Sequence, residues 1–466
     1  MEINKNVFRA YDIRGIVGED INADFALALG KAVGTFLTRL GRYNMCCGRD
    51  GRTSSPELQA AFIEGVISTG LNVHNIGLAT SPMLYWAACI EDFDCGVNVT
   101  ASHNPKEYNG FKIVDDHAHS VYGNYLQEIY AMMIEEDFDE ADEPGKHVET
   151  SIKDRYLAEL HSKVKIERPV KVVVDTGNGV GGPFVRQLFG YDNVDLTVLY
   201  EEVDGEFPNH IANPEKYENL LDLSAKVVEL GADFGIGFDG DADRIGVVDE
   251  QGNHYSCDLL LMLLARDALF RNPGATIIHD IKTSRVVEND IKNHGGVPIR
   301  TKTGHSHIEV AMHEKGAILG GEISGHMFFK EDYYGFDDAF LAALKVTAML
   351  AASDQKFSEF FEDLPEVYST EELRIECDDD KKFGLIEEVT EIFKRMNYDV
   401  LTIDGAFVEL GEYSWGAVRA SNTAPQLTLR FESNSKKQLN DTIDLFHKVL
   451  SDFDFVDPAA LLELKV

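Results

Sequence analysis

Six consecutive residues, Thr100-Ala101-Ser102-His103-Asn104-Pro105, bring one hydroxyl and one imidazole together ahead of an Asn-Pro turn, and Asn109-Gly110-Phe111-Lys112 follows closely. A serine hydroxyl is a weak nucleophile unless a base, a lowered pKa or a metal activates it. His103, Lys112 and the backbone N–H groups of the turn are near enough along the chain to help. Placed this way, Ser102 could carry a phosphoryl group. Ser, Asn and Pro also favour turns for purely local reasons, so the run alone serves equally well as a turn.

A second cluster changes the balance. Gly237-Phe238-Asp239-Gly240-Asp241-Ala242-Asp243-Arg244 spaces three carboxylates two residues apart. The residues before it, 232–238, mix small and apolar side chains as a buried strand does, and Ile245-Gly246-Val247-Val248-Asp249 after it is β-prone too. Three aspartates on a tight loop between strands suit a divalent cation, Mg²⁺ or Ca²⁺. Without one they would repel, and at least one pKa would rise. An EF-hand calcium loop shares the Asp239, Asp241, Asp243, Glu250 spacing. Its sixth position should be glycine, however, and here it is Arg244; its flanks should be helices, and here they read as strands. The planar fork of Arg244 suits phosphate oxygens.

Two further loops carry polar groups. Gly320-Gly321-Glu322-Ile323-Ser324-Gly325-His326 offers a carboxylate, a hydroxyl and an imidazole, the donors and acceptors that sugar hydroxyls need. Arg419-Ala420-Ser421-Asn422-Thr423-Ala424-Pro425 sits between β-prone runs and could cradle a phosphate. Each by itself is also an ordinary polar loop.

In this order the four loops resemble those of the α-D-phosphohexomutases, within them the bacterial phosphomannomutase/phosphoglucomutase branch. Phe8-Arg9-Ala10-Tyr11-Asp12-Ile13-Arg14-Gly15, Gly48-Arg49-Asp50-Gly51-Arg52, Asp175-Thr176-Gly177-Asn178-Gly179 and Lys302-Thr303-Gly304-His305-Ser306 are similar as well. The resemblance spans essentially the whole chain. Ile323 departs from it, since methionine is more usual there, but an apolar exchange leaves the polar grip unchanged.

The resemblance implies a phosphoserine enzyme that interconverts hexose 1-phosphates and 6-phosphates of mannose, glucose or both. One Mg²⁺ per chain would be held by Asp239, Asp241, Asp243 and the phosphorylated Ser102. A hexose 1,6-bisphosphate would serve as intermediate and activator. Lys112, His305, His326 and Arg14 are the implied candidates for proton transfer, and His103 supports the serine loop. Tyr11, Arg244, Lys282, Glu322 and Ser324 would contact substrate, with Arg419, Ser421, Asn422 and Thr423 on its distal phosphate. A phosphoglucosamine mutase, a metal-dependent sugar phosphatase and an inert sugar-phosphate sensor are the alternatives.

The elements that must position these groups alternate. Residues 25–40 have helical spacing, 43–47 read as a strand and 56–68 as a helix, which suggests an α/β layer fold. An acidic run at 135–143, with seven carboxylates in nine residues, leads to Pro144-Gly145 and a first boundary. Val170-Lys171-Val172-Val173-Val174-Asp175 opens a second unit as a buried strand. A helix over 258–270, strands at 275–279 and 297–300 and a helix over 337–352 mark a third. From about 367 the texture changes to α+β: a strand near 372–377, helices over 383–396 and 437–453, and strands around Arg419. The expected domains are 1–148 with the serine loop, 149–253 with the metal loop, 254–366 with the sugar loop and 367–466 with the phosphate loop. The resemblance implies three similar α/β domains with mixed sheets and a smaller, mobile α+β domain around a central cleft.

Composition agrees. A chain of 466 residues exceeds one ordinary core. The formal net charge of −37 argues against nucleic acid and anionic membranes as partners. A phosphosugar substrate then needs local cations: Arg14, Lys112, Arg244, Lys282 and Arg419. No run is long and apolar enough for a bilayer span, and the N-terminus lacks the pattern of a signal peptide. Cys46, Cys47, Cys89, Cys95, Cys257 and Cys377 have no zinc-type spacing and read as buried reduced thiols. A cytoplasmic monomer is expected.

Overall fold

The computed structural model describes residues 3–9, 11–90, 92–421 and 425–466. The chain divides into two compact units, one of Met1–Asp267 with Ile318–Phe360, the other of Ala268–Ala317 with Phe361–Val466.

Two mixed sheets organise the first unit. In the first, strands run in the order Ile13–Ile16, Tyr108–Val114, Cys95–Val99, Asn44–Arg49, Asn72–Leu78, His147–Glu149. The inner strands Cys95–Val99, Asn44–Arg49 and Asn72–Leu78 pair in parallel, while Tyr108–Val114 returns antiparallel to Cys95–Val99. The last strand pairs in parallel with Asn72–Leu78 and ends at Glu149, one residue past the expected boundary. Helix Ala23–Arg39 begins where the Asn22 side chain accepts from the Phe25 N–H at 2.9 Å. It crosses helix Ser55–Ser68 at Gly30 and Gly65; a Cβ on either would meet a backbone carbonyl oxygen of the other helix at 2.2 Å.

The second sheet runs His254–Tyr255, Ile245–Asp249, Phe234–Phe238, Val170–Asp175, Val194–Leu199. Val170–Asp175 is buried at five of six positions, as its unbroken apolar run requires. It pairs in parallel with both neighbours, and Ile245–Asp249 folds back antiparallel on Phe234–Phe238. The unit also holds the hairpin Leu319–Gly321 with Met327–Phe329, and helix Ala339–Ala351. That helix starts two residues later than its apolar pattern suggests, because Asp338 is spent as its cap, accepting from the Leu341 N–H at 2.9 Å.

In the second unit, Thr276–Asp280 and Val297–Thr301 pair in parallel. An antiparallel sheet of Tyr368–Ser369, Gln426–Ser433, Ser414–Ala420, Ala406–Gly411 and Asp399–Leu401, with Leu373–Glu376 also on Gln426–Ser433, packs under helices Lys382–Arg395 and Lys436–Leu450. In the acidic run, Arg39 pairs with Asp137 and Asp139 at 2.9 and 2.8 Å, and all three side chains stay exposed to solvent. None of the six cysteines forms a disulfide; five are buried and Cys89 is half-buried. Among the described residues, no helix is long and apolar enough to cross a membrane.

Candidate active site

The serine loop leaves the fully buried strand Cys95–Val99 and turns at once. Thr100 Oγ1 accepts from the Ser102 N–H at 2.9 Å, and the Asn104 N–H donates to the Ala101 carbonyl at 2.9 Å. The turn holds Ser102 at φ +50°, a left-handed conformation that a non-glycine residue adopts only when its surroundings impose it. Arg52 imposes it. Its guanidinium, 1% exposed, donates to the carbonyls of Ser102 (2.9 Å), Asn104 (2.6 Å), Pro105 (2.7 Å) and Tyr108 (2.9 Å), while Asp50 holds its Nε at 3.2 Å. Arg14 adds a bond to Asn104 Oδ1 at 2.6 Å and pairs with Asp12 at 2.6 Å. Tyr11, just before it, is half-buried.

Ser102 Oγ donates to Asp239 Oδ2 at 2.6 Å and lies 3.1 Å from His103 Nδ1. With its single proton committed to Asp239, the hydroxyl can only accept from His103. Burial, then the charges of Arg244 and Arg14, push the His103 pKa well below the ordinary histidine value. The ring is therefore neutral, with its proton on Nδ1.

The metal loop is the turn of the hairpin Phe234–Phe238 with Ile245–Asp249. Gly240 is required there, because a Cβ would sit 2.4 Å from the Ser102 carbonyl oxygen. Ala242 is held at φ +56°. The three aspartates are buried and offer oxygens within 4.8 Å of one another. Asp239 Oδ1 accepts from the N–H groups of Asp243 and Arg244, both at 3.1 Å. Asp241 Oδ2 accepts from Ser81 Oγ at 2.6 Å and from Lys112 Nζ at 2.7 Å; Lys112 also bonds Asp243 Oδ2. Asp241 Oδ1 and Asp243 Oδ1 are buried acceptors with no hydrogen-bond donor among the described residues. Hard oxygens left open in this way fit Mg²⁺. Burial and then its two neighbours push the Asp239 pKa well above the usual carboxylate range. Burial also works against the charges on Asp243 and Lys112, but their pairing outweighs it: Asp243 stays well below its ordinary range and Lys112 well above.

The loop at 322–326 joins this cluster through the backbone. Arg244 and His326 form an isolated antiparallel bridge, and the Ile245 N–H donates to the Gly325 carbonyl at 3.1 Å. Arg244 Nε donates to His326 Nε2 at 2.9 Å, so the ring proton lies on Nδ1, which faces Asp337. Burial lowers the His326 pKa to about 4, with Asp243 opposing and Arg244 adding. Glu322 is buried, and Ser324 Oγ donates to it at 3.4 Å.

The first unit therefore gathers Ser102, His103, Arg14, Lys112, the three aspartates, Arg244, Glu322, Ser324 and His326. Lys282, His305, Arg419 and Ser421 lie in the second unit. There Lys282 pairs with Glu372 at 3.1 Å, Arg419 with Asp404 at 3.1 Å, and His305 begins the helix His305–Lys315. Asn422 and Thr423 lie outside the described residues. Sequence reasoning quoted Arg52 in a motif but gave it no role, and it missed Ser81 and Asp337 of the first unit. Ser81 carried a faint signal, since Thr80-Ser81-Pro82 reads as a helix start.

Four family models match in chain order: phosphoglucomutase/phosphomannomutase α/β/α domain I at residues 5–140, domain II at 154–252, domain III at 256–368 and the C-terminal domain at 372–448. The phosphomannomutase/phosphoglucomutase of Pseudomonas syringae pv. tomato is 42% identical over 452 residues, 96% of each chain. The phosphoglucomutase of Neisseria gonorrhoeae is 41% identical over 452 residues, 96% of this chain and 97% of the other. The crystal structure of a phosphoglucomutase/phosphomannomutase family protein from Burkholderia thailandensis superposes with a TM-score of 0.90 at 37% identity, covering 97% of this chain and 98% of that one.

Proposed function

The chain belongs to the phosphoglucomutase/phosphomannomutase family of four-domain α/β hexose phosphate mutases, and from that premise we propose that Ser102 is its phosphoryl carrier. One observation carries the assignment: the Ser102 hydroxyl bonds Asp239 at 2.6 Å, inside a cluster of three buried carboxylates and the Lys112 ammonium.

In this reading phosphorylated Ser102 donates to the free hydroxyl of a hexose monophosphate. The P–O bond to Ser102 breaks as a bond to the sugar oxygen forms, giving a hexose 1,6-bisphosphate. The bisphosphate reverses end for end, and its other phosphate returns to Ser102. Asp239, Asp241, Asp243 and the serine phosphate would hold one Mg²⁺ per chain, which would supply neutralisation of the phosphoryl charge. Of the proton-transfer candidates Lys112, His305, His326 and Arg14, the two cations Lys112 and Arg14 have no site for a further proton, so a histidine takes the proton of the sugar hydroxyl. Lys112 already holds a proton and is suited to protonating the Ser102 oxygen as it leaves. Tyr11, Arg244, Lys282, Glu322 and Ser324 contact the sugar phosphate, and Arg419, Ser421, Asn422 and Thr423 take the distal phosphate. We set the domain limits at 1–148, 149–253, 254–366 and 367–466. A monomer suffices, since one chain carries every group named, and cysteines outside any disulfide suit a cytoplasmic protein.

Purified protein with Mg²⁺ and a trace of hexose 1,6-bisphosphate should interconvert the 1- and 6-phosphates of mannose or glucose. Intact mass should show one phosphate on part of the protein, lost with turnover in Ser102→Ala. An alanine variant that keeps both overturns the assignment. Released inorganic phosphate would instead mark a phosphatase, and tight binding without turnover a sensor.

A further inference from the structure

Residues 204–212, from the loop after strand Val194–Leu199, lie across the serine loop. At the rim, Glu206 pairs with Lys106 at 2.7 Å. Gly205 lets the two backbones meet, since a Cβ there would stand 2.6 Å from the Thr53 N and 2.8 Å from the Arg52 Cα. Two residues on, Phe207 sits at φ +47°, a conformation that a bulky side chain rarely takes. Its ring lies under the Arg52 guanidinium, 5.2 Å from centroid to carbon, and reaches within 4.0 Å of a Cβ built on Gly240. It also shares a cavity of about 170 Å³ with Ser102. One side chain thus lies against the residue that grips the serine loop and beside the open space at the glycine of the metal loop.

We propose that Phe207 is a positioning residue for phosphoryl transfer: it acts through Arg52 to hold Ser102 against Asp239. The proposal rests on Ser102 as the phosphoryl carrier. Arg52 needs its guanidinium flat against the four carbonyls it serves, and a ring face beneath it fixes that plane. The strained backbone at Phe207 fits this purpose, because glycine would relieve the strain and lose the ring. Phe207 touches none of the reacting atoms, so its loss should lower the rate of transfer and leave substrate binding alone.

Phe207→Gly tests this, since it removes the ring at a backbone position that glycine prefers and so leaves the fold intact. Phe207→Leu is the second variant, keeping apolar volume without a ring face. The expected result for both is a kcat about tenfold lower at unchanged KM, with Mg²⁺ affinity unchanged and most of kcat restored in Phe207→Tyr. Transfer from hexose 1,6-bisphosphate to Ser102, followed by intact mass, should slow by the same factor. An unchanged kcat in a folded variant overturns the proposal. So does a joint loss of kcat, substrate affinity and Mg²⁺ affinity, which a merely structural role would produce. Turnover by the parent protein in the same assay separates these outcomes from failure of the Ser102 assignment.

Discussion

Lys112→Met should weaken the empty protein and tighten its grip on Mg²⁺. Lys112 is 6% exposed, and its ammonium lies 2.7 Å from Asp241 and against Asp243. Removing one partner of a buried ion pair costs about 3–5 kcal/mol, because the remaining charge stays buried alone. Three carboxylates would then share the loop with Arg244 as the nearest cation. A bound Mg²⁺ would no longer meet the ammonium. At a separation of about 5 Å and an effective dielectric of about 20, charges of +1 and +2 repel by about 6–7 kcal/mol. If only about a fifth of that survives relaxation, Mg²⁺ binds about tenfold more tightly. Excess Mg²⁺, at about 100 times its Kd, restores about 2.7 kcal/mol. If Lys112 protonates the leaving serine oxygen as proposed, turnover should fall by about a hundredfold. Calorimetric titration of chelator-stripped protein with Mg²⁺, and guanidinium unfolding with and without the ion, read these quantities. A variant that binds Mg²⁺ no more tightly than the parent refutes the charge-sharing argument.

Gly240→Ala should lower kcat about a hundredfold, since its methyl group would sit 2.4 Å from the Ser102 carbonyl oxygen and must push the serine from its partner; steady-state kinetics with Mg²⁺ affinity as the control would check it. His279 is buried in the second unit, and burial, then Arg300, lowers its pKa to about 4. The unfolded chain therefore binds a proton below about pH 6.5 that the folded chain refuses until about pH 4, so stability is full above pH 6.5 and is lost as pH falls through that window. The loss reaches about 3 kcal/mol near pH 4 and should shrink in His279→Gln, read by denaturant unfolding between pH 7 and pH 4.5.

The strands and helices were legible because their signals are local. Val170–Asp175 is a strand over the six residues its apolar run marks, and the metal loop falls between the two strands that its flanks suggested. His147–Glu149 was not legible: its three residues are all exposed and only its pairing makes it a strand. The chemistry-bearing loops could be read because each concentrates several polar residue types in a few positions. Their supports could not. Arg52 reaches carbonyls 50 to 56 residues away, and Ser81 meets Asp241 across 160 residues. Neither residue type is unusual where it stands. The two-unit division was hidden for the same reason, since it cuts through 254–366, a stretch that reads as continuous α/β.

The bridge between Arg244 and His326, with the bond from Ile245 to Gly325, is made of main chain and survives any change of side chain. The stretches 239–245 and 322–326 consequently form a single inherited part. Exchanging one of them alone with a relative would also shift the carboxylates beside Ser102. Evolution or design at this site must therefore trade the two segments as a pair, and a chimera that swaps only one should lose rate before it gains a new substrate.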